Sequence, residues 1–256
     1  MKLLISNDDG IFAPGICALT RTALDRGHEV CVCAPGHQCS AASHSITLAK
    51  SFTAEKIGVP GVKSAWAVNG TPADCVNLAL IHLCPDVDAV LSGINHGFNM
   101  GIDVLYSGTV AAAMEGAILG KRALAVSLAP SREDTYPLAA DLALQILEKT
   151  MHLDFPAYSV LNINYPATDR ALGLKTVPAG LTRYRSHYVE RPVTPAISEY
   201  RPVGVLEDID EYGEDDYSWL TRGYATLTVL SHDASDRETT SRLASTLRFP
   251  PDAGLF

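Results

Sequence analysis

The sequence has little positive charge for its length. Its 256 residues include 20 basic and 29 acidic side chains, which gives a formal net charge of −9. Because a protein that binds a nucleic-acid backbone needs a basic face, this composition argues against a polymeric nucleic-acid partner. A small phosphate ligand needs only a local site, so the charge does not argue against it.

Long apolar runs are also missing. No stretch approaches the ~20 apolar residues of a membrane-spanning helix. The first apolar stretch is short, because the polar residues Asn7, Asp8 and Asp9 follow it directly. A secretory signal peptide has a longer apolar region. The sequence therefore predicts a cytoplasmic protein without a membrane partner.

Several motifs that define common classes of protein do not occur. No G-x-G-x-x-G follows the first predicted strand and no G-x-x-x-x-G-K-[ST] is present, which excludes a dinucleotide fingerprint and a P-loop NTPase. The 6 cysteines form no C-x-x-C pair, so neither a zinc ribbon nor a thioredoxin-like site is indicated. Alternation places Cys31 and Cys33 on one face of a strand, where we interpret them as small buried hydrophobic side chains.

Strand-like and helix-like segments alternate over the first two-thirds of the chain. Strands are predicted at KLLIS, HEVCVCA, SAWAVNG, DAVLSG, ALAVSLA and SVLNINYP. Helices are predicted at PGICALTRTALDR, TPADCVNLALIHL, TVAAAMEGAILG and YPLAADLALQILEKTM. Thr71 can cap the second helix and Pro72 can occupy its first position. This alternation predicts an α/β fold with a mostly parallel sheet and helices on both faces.

The pattern changes after Pro166. Residues 167–256 contain several prolines, the acidic stretch EDIDEYGEDDYSW and one clear alternating strand, YATLTVLS. We predict a catalytic core at residues 1–166 and a β-rich C-terminal lobe or arm at residues 167–256. The acidic stretch is interpreted as a solvated surface rather than a metal site.

Three polar loops follow predicted strands, and ligands of open α/β sheets bind at the carboxyl ends of strands. The loops are NDDG, PGHQCSAASHS and INHGFNMGIDVLYSGT. In the first, Asp8 and Asp9 form either a simple turn or a site for a hard cation, with Gly10 permitting an unusual φ. Carboxylate, hydroxyl and amide oxygens suit Mg²⁺ or Mn²⁺.

The other two loops add further candidates. Serine hydroxyls in the second loop are weak signals alone, and Asn95 follows the third strand. His96 is a candidate general base, although a single histidine in a loop more often has no role in catalysis. The third loop ends at Ser107, Gly108 and Thr109, before a helix of small residues. Its N-terminus favours phosphate, and the alternative is a plain helix cap by Ser107 or Thr109.

Six collinear blocks resemble the SurE family of survival proteins, which are metal-dependent nucleotidases. The blocks are SNDDGIFAPGI, GHEVCVCAP, SAASHSITL, NGTPADCV, SGINHGFNMG and YSGTVAAAMEG. The resemblance covers residues 1 to about 165 and implies a Rossmann-like core. It also implies one divalent metal ion per subunit, Mg²⁺ or Mn²⁺, on Asp8, Asp9, Ser40 and Asn95. The implied activity is hydrolysis of nucleoside monophosphates at the 5′ or 3′ position and, in some members, of short polyphosphate.

The resemblance further implies a homodimer or homotetramer formed through exchanged C-terminal segments. The chain departs from the family in the loop before Ser40. Arginines are common there in the family, whereas this chain has His37 and Cys39. The positive charge near the predicted phosphate is therefore reduced.

The sequence thus predicts a metal-dependent phosphomonoesterase in which Asp8 and Asp9 are the catalytic, metal-binding carboxylates. The residues predicted to hold the substrate phosphate are Asn99, Ser107, Gly108 and Thr109. A phosphatase that forms an aspartyl-phosphate is an alternative, but it would need D-x-D rather than adjacent aspartates. A sugar-nucleotide transferase would need a second Rossmann half, and a nucleotide-binding regulator without turnover remains a third alternative.

Overall fold

The structure is a computed structural model, and it describes residues 1–130, 133–181, 183–207 and 213–247. The strands are β1 (Lys2–Ser6), β2 (Glu29–Pro35), β3 (Ala54–Ile57), β4 (Ser64–Val68), β5 (Ala89–His96), β6 (Arg122–Leu128), β7 (Ser159–Tyr165), β8 (Leu174–Thr176), β9 (Arg183–Thr194), β10 (Ile197–Glu207) and β11 (Ala225–Ser231). The helices are α1 (Pro14–Asp25), α2 (Pro72–Leu78), α3 (Gly108–Ile118), α4 (Tyr136–Thr150), α5 (Asp216–Thr221) and α6 (Arg237–Thr246). Shorter helical turns lie at Ala79–Leu83, Gly101–Leu105 and Glu133–Thr135.

Within the described residues, nine strands form one sheet in the order β3-β4-β2-β1-β5-β6-β7-β11-β8. The six adjacent strands at the centre of this order, β4-β2-β1-β5-β6-β7, are all parallel. β3 pairs antiparallel with β4, and β11 pairs antiparallel with β7. The predicted Rossmann-like α/β fold with a mostly parallel sheet is therefore confirmed.

The core lies in two layers, one on each face of the sheet. Leu3 and Ile5 of β1 pack with the buried sides of α1 and α4. Leu4, which points the other way, packs with α2 and α3, as the period-2 geometry of a strand requires. Cys31 and Cys33 are both buried in this second layer, which confirms their interpretation as small hydrophobic side chains.

Local sequence signals set the helix ends. The Thr71 hydroxyl accepts a hydrogen bond from the Asp74 backbone N–H (3.1 Å), and the Asp74 carboxylate accepts one from the Thr71 N–H (2.9 Å). This is a capping box, with Pro72 in the first helical position. α1 begins at Pro14 and is followed by Gly27 at φ +79°, a left-handed conformation that glycine adopts without strain. The predicted helix starts are confirmed.

The region after Pro166 contributes both to the sheet and to an arm. β11 lies between β7 and β8 in the main sheet, so this sheet extends across the boundary predicted at residue 166. β9 and β10 form an antiparallel hairpin outside that sheet. The β-rich arm is therefore confirmed, whereas the division into two domains stays a prediction. The sequence analysis did not identify β3, β8, the two hairpin strands, α5 or α6.

The acidic stretch at 207–219 differs from the expectation. Its residues 208–212 lie outside the described part of the chain, and Glu214 is exposed. Asp216, however, is completely buried. Its carboxylate accepts backbone hydrogen bonds, which replace those it would make with water. The prediction of a solvated surface is wrong for this residue.

No helix among the described residues has the length and apolar character needed to cross a membrane.

The start of α1 packs directly against β5. A methyl group on Gly15 would overlap the Ile94 carbonyl oxygen and lie 2.8 Å from the carbonyl carbon. We therefore expect Gly15→Ala to lower the free energy of unfolding by about 1–3 kcal/mol, measured by urea denaturation. Gly58→Ala is the matched control, because a methyl group there would meet no described atom within 4 Å. Equal stability of the two variants would contradict this packing.

Candidate active site

The three polar loops meet at one edge of the sheet. β2, β1 and β5 are adjacent and parallel, so their carboxyl ends present their loops together. The Cys39 N–H donates to the Asp8 carbonyl oxygen (2.7 Å), and the Ser43 N–H donates to the Tyr106 carbonyl oxygen (3.0 Å). The first loop therefore contacts the second, and the second contacts the third.

Asp8 lies against the start of α3. Its side chain is buried, and Oδ1 accepts a hydrogen bond from the Thr109 hydroxyl. A methyl group on Gly108 would lie 2.8 Å from Asp8 Cβ and 2.9 Å from Oδ2, so only glycine leaves room for the carboxylate. Burial raises the pKa of Asp8 to about 6, assisted by the charge of Asp9 and opposed by the hydrogen bond from Thr109.

Asp9 faces the other two loops. Its Oδ2 accepts a hydrogen bond from the His96 backbone N–H (3.0 Å). Its Oδ1 accepts one from the Gln38 side-chain amide (3.3 Å), and the same nitrogen donates to the Ser40 hydroxyl (2.9 Å). Gln38 thus joins Asp9 to Ser40. Sequence analysis missed Gln38, because its contact with Asp9 spans 29 residues of sequence and no local pattern marks it.

A bulge at the end of β5 places Asn95 and His96 at this edge. Ser92 pairs with Ala125 and Asn95 with Ser127, so two residues of β5 face one residue of β6. Such bulges redirect side chains near active sites. The Asn95 side-chain nitrogen donates to the Gly97 carbonyl (2.8 Å), which leaves the amide oxygen as the group that can bind a cation.

These groups fit a hard cation. In the part of the chain that the structure describes, no basic side chain forms an ion pair with Asp8 or Asp9. The same residues contain no group of three or more His, Cys, Asp or Glu side chains that would hold a metal ion. A cation held here would therefore need neutral oxygen donors as well as the two carboxylates, and Ser40 and Asn95 stay the predicted ones. Oxygen donors of this kind suit Mg²⁺ or Mn²⁺.

Three of the residues predicted to hold phosphate, Ser107, Gly108 and Thr109, form the start of α3, whereas Asn99 is bonded to residues of β6 and β7. The Ser107 hydroxyl accepts a hydrogen bond from the Val110 N–H (3.1 Å) and caps the helix. The Asn99 side-chain nitrogen donates to the Ser127 hydroxyl (2.8 Å), and Asn164 holds the Asn99 backbone. The structure thus brings the helix N-terminus next to Asp8, while the phosphate role of these residues stays a prediction.

A buried carboxylate on α2 holds the loop that carries Ser40. Asp74 accepts hydrogen bonds from the Thr47 N–H (2.8 Å) and hydroxyl (2.7 Å) in addition to its capping bond with Thr71. Burial alone would raise the pKa of Asp74, but these hydrogen bonds together lower it. The carboxylate therefore stays ionised and fixes the loop. Thr71 and Pro72 indicated the helix start, but the sequence analysis assigned no role to Asp74.

A second carboxylate, on α3, holds the same loop. Glu115 Oε2 lies 2.9 Å from His44 Nε2, and Oε1 accepts a hydrogen bond from the Asn77 side chain (2.7 Å). The hydrogen bond with His44 lowers the pKa of Glu115 against the effect of burial. Sequence analysis missed this contact. The feature that could have indicated it is Glu115 itself, an acidic residue within an otherwise apolar helix.

Three other residues from the sequence analysis, His96, His37 and Cys39, are exposed or only partly buried. His96 is exposed, and its Nδ1 lies 3.4 Å from the Tyr136 hydroxyl. His37 is also exposed. Burial and the charge of Asp8 raise the pKa of Cys39, so this thiol adds no positive or negative charge beside Asp8 at neutral pH.

The fold and the site define an α/β protein with an acidic oxygen-donor site at the carboxyl edge of a Rossmann-like sheet. The chain belongs to the SurE family: residues 3–186 match the family model described as survival protein SurE.

Curated relatives and a solved structure agree with this family. A 5′-nucleotidase SurE from Synechococcus elongatus is 41% identical over 256 residues, covering 95% of this chain and 98% of the relative. One from Petrotoga mobilis is 40% identical over 235 residues, covering 90% and 93%. The crystal structure of the SurE protein from Aquifex aeolicus has a TM-score of 0.79 and 31% identity, covering 96% of this chain and 99% of that one.

The raised pKa of Asp8 predicts how pH affects the metal-free protein. The pKa is about 6 in the folded state, against an ordinary value of 3.8. Ionising Asp8 therefore costs folding free energy as pH rises through this window. We expect Asp8→Asn, which removes the charge but keeps an acceptor for Thr109, to be the more stable form above pH 6, by about 3 kcal/mol at most.

The measurement is thermal unfolding in excess chelator from about pH 4 to pH 8. The stabilisation should disappear at the acidic end, where wild-type Asp8 is protonated. Asp25→Asn is the control, since Asp25 is exposed at the end of α1. A constant difference between wild type and Asp8→Asn at every pH would contradict the expected titration.

Proposed function

We propose that this protein hydrolyses the phosphate ester of nucleoside monophosphates with the help of one divalent cation, Mg²⁺ or Mn²⁺, per subunit. The family supports this activity, since the curated relatives carry the name 5′-nucleotidase. The observation that carries the proposal is the hydrogen bond from Thr109 to Asp8. Through this bond Asp8, the carboxylate that we propose as a cation ligand, lies beside a helix N-terminus, which favours an anion.

The cation would be held by Asp8, Asp9, Ser40 and Asn95. Gln38 already joins the second and third of these residues, and the backbone next to Asn95 is bonded to Asp9. When bound, a cation supplies positive charge that stabilises the phosphoryl oxygens and activates a water molecule. The two adjacent carboxylates gain a shared counter-charge, which offsets their mutual repulsion.

The substrate phosphate is proposed to lie at the start of α3. The backbone and side chains there come from Ser107, Gly108 and Thr109, with Asn99 in the preceding segment. The positive end of the helix dipole stabilises the charge that develops on the phosphoryl oxygens. Because Gly108 has no side chain, phosphate and carboxylate can approach the same helix end.

A water molecule, rather than a protein carboxylate, is the proposed nucleophile. The two aspartates are adjacent and bind different partners, Asp8 to Thr109 and Asp9 to His96 and Gln38. A nucleophilic aspartate and its partner acid would need to lie on one side of the substrate. The groups proposed to take the proton of the water are Asp8, Asp9 and His96, in that order.

The region after Pro166 is proposed to assemble the protein into a homodimer or homotetramer in the cytoplasm. The hairpin of β9 and β10 supports this assembly. It leaves large apolar side chains exposed, including Tyr188, Ile197, Tyr200 and Val205. A partner subunit that covers them would remove apolar surface from water.

We expect phosphate release from nucleoside monophosphates to require both a divalent cation and Asp9. Purified protein should turn over in Mg²⁺ or Mn²⁺ and stop in excess chelator. Asp9→Asn keeps the shape of the side chain but removes its charge. Since changes behind a metal ligand already cost 10–100-fold, we expect kcat/KM to fall by at least about 100-fold.

Asp25→Asn is the matched control and should keep wild-type activity. Full activity of the Asp9→Asn variant in excess chelator would refute the metal role. Tight nucleotide binding by the wild type without phosphate release in any metal would instead support a regulator without turnover.

We expect no covalent phosphoryl-enzyme during turnover. Enzyme quenched in the steady state and digested with trypsin should yield an unmodified peptide from residues 3–21, observed by mass spectrometry. The physical reason is the separate engagement of Asp8 and Asp9, which leaves neither placed as a nucleophile with its acid. A stoichiometric, kinetically competent phosphoryl group on either residue would establish the aspartyl-phosphate alternative.

A further inference from the structure

Asp216 is a buried carboxylate that the proposed chemistry does not use. It lies at the start of α5 in the C-terminal region and has no exposed surface. Its Oδ2 accepts a hydrogen bond from the Gly101 N–H (3.0 Å), and its Oδ1 accepts one from the Gly180 N–H (2.8 Å) and one from its neighbour Tyr217 (2.9 Å). One side chain thus joins two distant segments of backbone.

The first of these segments leads to the proposed phosphate site. Gly101 is buried and begins the helical turn Gly101–Leu105, which continues through Tyr106 to the Ser107 cap of α3. The far end of this segment is held by the Ser107 cap and by the Ser43 N–H on the Tyr106 carbonyl. Asp216 holds its near end.

The second segment leads into the hairpin arm. Gly180 comes shortly before β9, which begins at Arg183. The Asp216 N–H donates to the Pro178 carbonyl (3.1 Å). A methyl group on Gly180 would lie 2.7 Å from Asp215 Oδ2 and 3.2 Å from Asp216 Oδ1. The base of the arm therefore packs tightly against the start of α5.

From these contacts we infer that Asp216 is a positioning residue. It fixes the segment that leads to the phosphate-binding start of α3 and makes that segment depend on the base of the hairpin arm. The identity of the ligand at α3 rests on the proposed function. The coupling between the segment at Gly101 and the base of the arm at Gly180 does not. Asp216 acts through Gly101 and does not touch the substrate.

A carboxylate is the side chain that this position requires. Three N–H donors converge on its two oxygens, so both oxygens must accept. Asparagine has the same shape but would turn an N–H₂ group toward a backbone N–H, leaving a buried donor without its acceptor. Burial raises the pKa of Asp216, and the hydrogen bonds from Gly101, Gly180 and Tyr217 oppose this shift.

The test compares Asp216→Asn with Asp215→Asn in the full-length protein. The two changes are chemically identical and lie side by side. Asp215 caps α5 by accepting from the Ser218 N–H (2.8 Å), and asparagine is an equally good cap. Competitive inhibition by inorganic phosphate and by vanadate measures the anion site, and calorimetric titration with Mn²⁺ alone measures the cation site.

We expect Asp216→Asn to weaken phosphate and vanadate inhibition and to raise KM about tenfold or more, as for a lost hydrogen bond to a charged group. Its Mn²⁺ affinity should stay within about twofold, because the proposed ligands lie just after β1, in the loop after β2 and at the end of β5, outside the segment that Asp216 holds. Asp215→Asn should match wild type in every measurement. Loss of phosphate and Mn²⁺ binding in equal measure would indicate general damage to the fold and overturn the inference.

Amide hydrogen exchange makes the test independent of activity. Asp216→Asn should speed exchange in residues 97–107 and 178–186 together, and Asp215→Asn should not. Unchanged exchange at 97–107 overturns the inference even if the enzyme is active, whereas a wild type without turnover rejects the proposed function alone.

Gly180→Ala provides the test from the opposite side if Asp216→Asn fails to fold. Its methyl group would displace the carboxylates of Asp215 and Asp216 without changing a charged residue. We expect faster amide exchange at 97–107 and weaker vanadate inhibition. These effects would appear at the phosphate side of Asp216, whereas the substitution itself lies on the side of the arm. Wild-type values for both would overturn the coupling.

Discussion

The contact between Asp8 and the start of α3 is the interaction on which the rest of the site depends. It requires three things: Asp8 must be buried after the central strand β1, the Thr109 hydroxyl must donate to its carboxylate, and Gly108 must carry no side chain. Burial then raises the pKa of Asp8 to about 6. An ionised carboxylate at this depth is stabilised by a cation, so the geometry creates the requirement that the proposed metal ion meets.

Asp8 and Asp9 lie in the bend that follows β1. Their side chains reach different elements, because Asp8 contacts the start of α3 while Asp9 contacts the end of β5 and the loop after β2. Neighbouring segments of the carboxyl edge are thereby joined through two adjacent residues.

The sequence predicted those parts of the fold whose residues are buried in a regular pattern. The parallel strands were identified in this way. The cap at Thr71 was predicted from residue type, and the polar loops were assigned to the carboxyl edge because each follows a predicted strand. The hairpin of β9 and β10 lies outside the main sheet with largely exposed side chains, and α6 buries no residue, so neither carries a pattern of alternating burial. Gln38 and Asp216 act through contacts distant in sequence, which no local pattern records.

The net charge of −9 has a consequence at the site itself. His37 and Cys39 stand where the family commonly has arginines, and acidic side chains hold the surrounding loops: Asp74 and Glu115 fix the serine loop, and Asp216 fixes the segment before α3. Since no basic side chain among the described residues forms an ion pair with Asp8 or Asp9, the proposed attraction of a phosphate rests on backbone N–H groups, the helix dipole and the proposed cation. Such dipoles would stabilise an anion only while the backbone that carries them keeps its position, and the buried carboxylates hold that backbone through their hydrogen bonds.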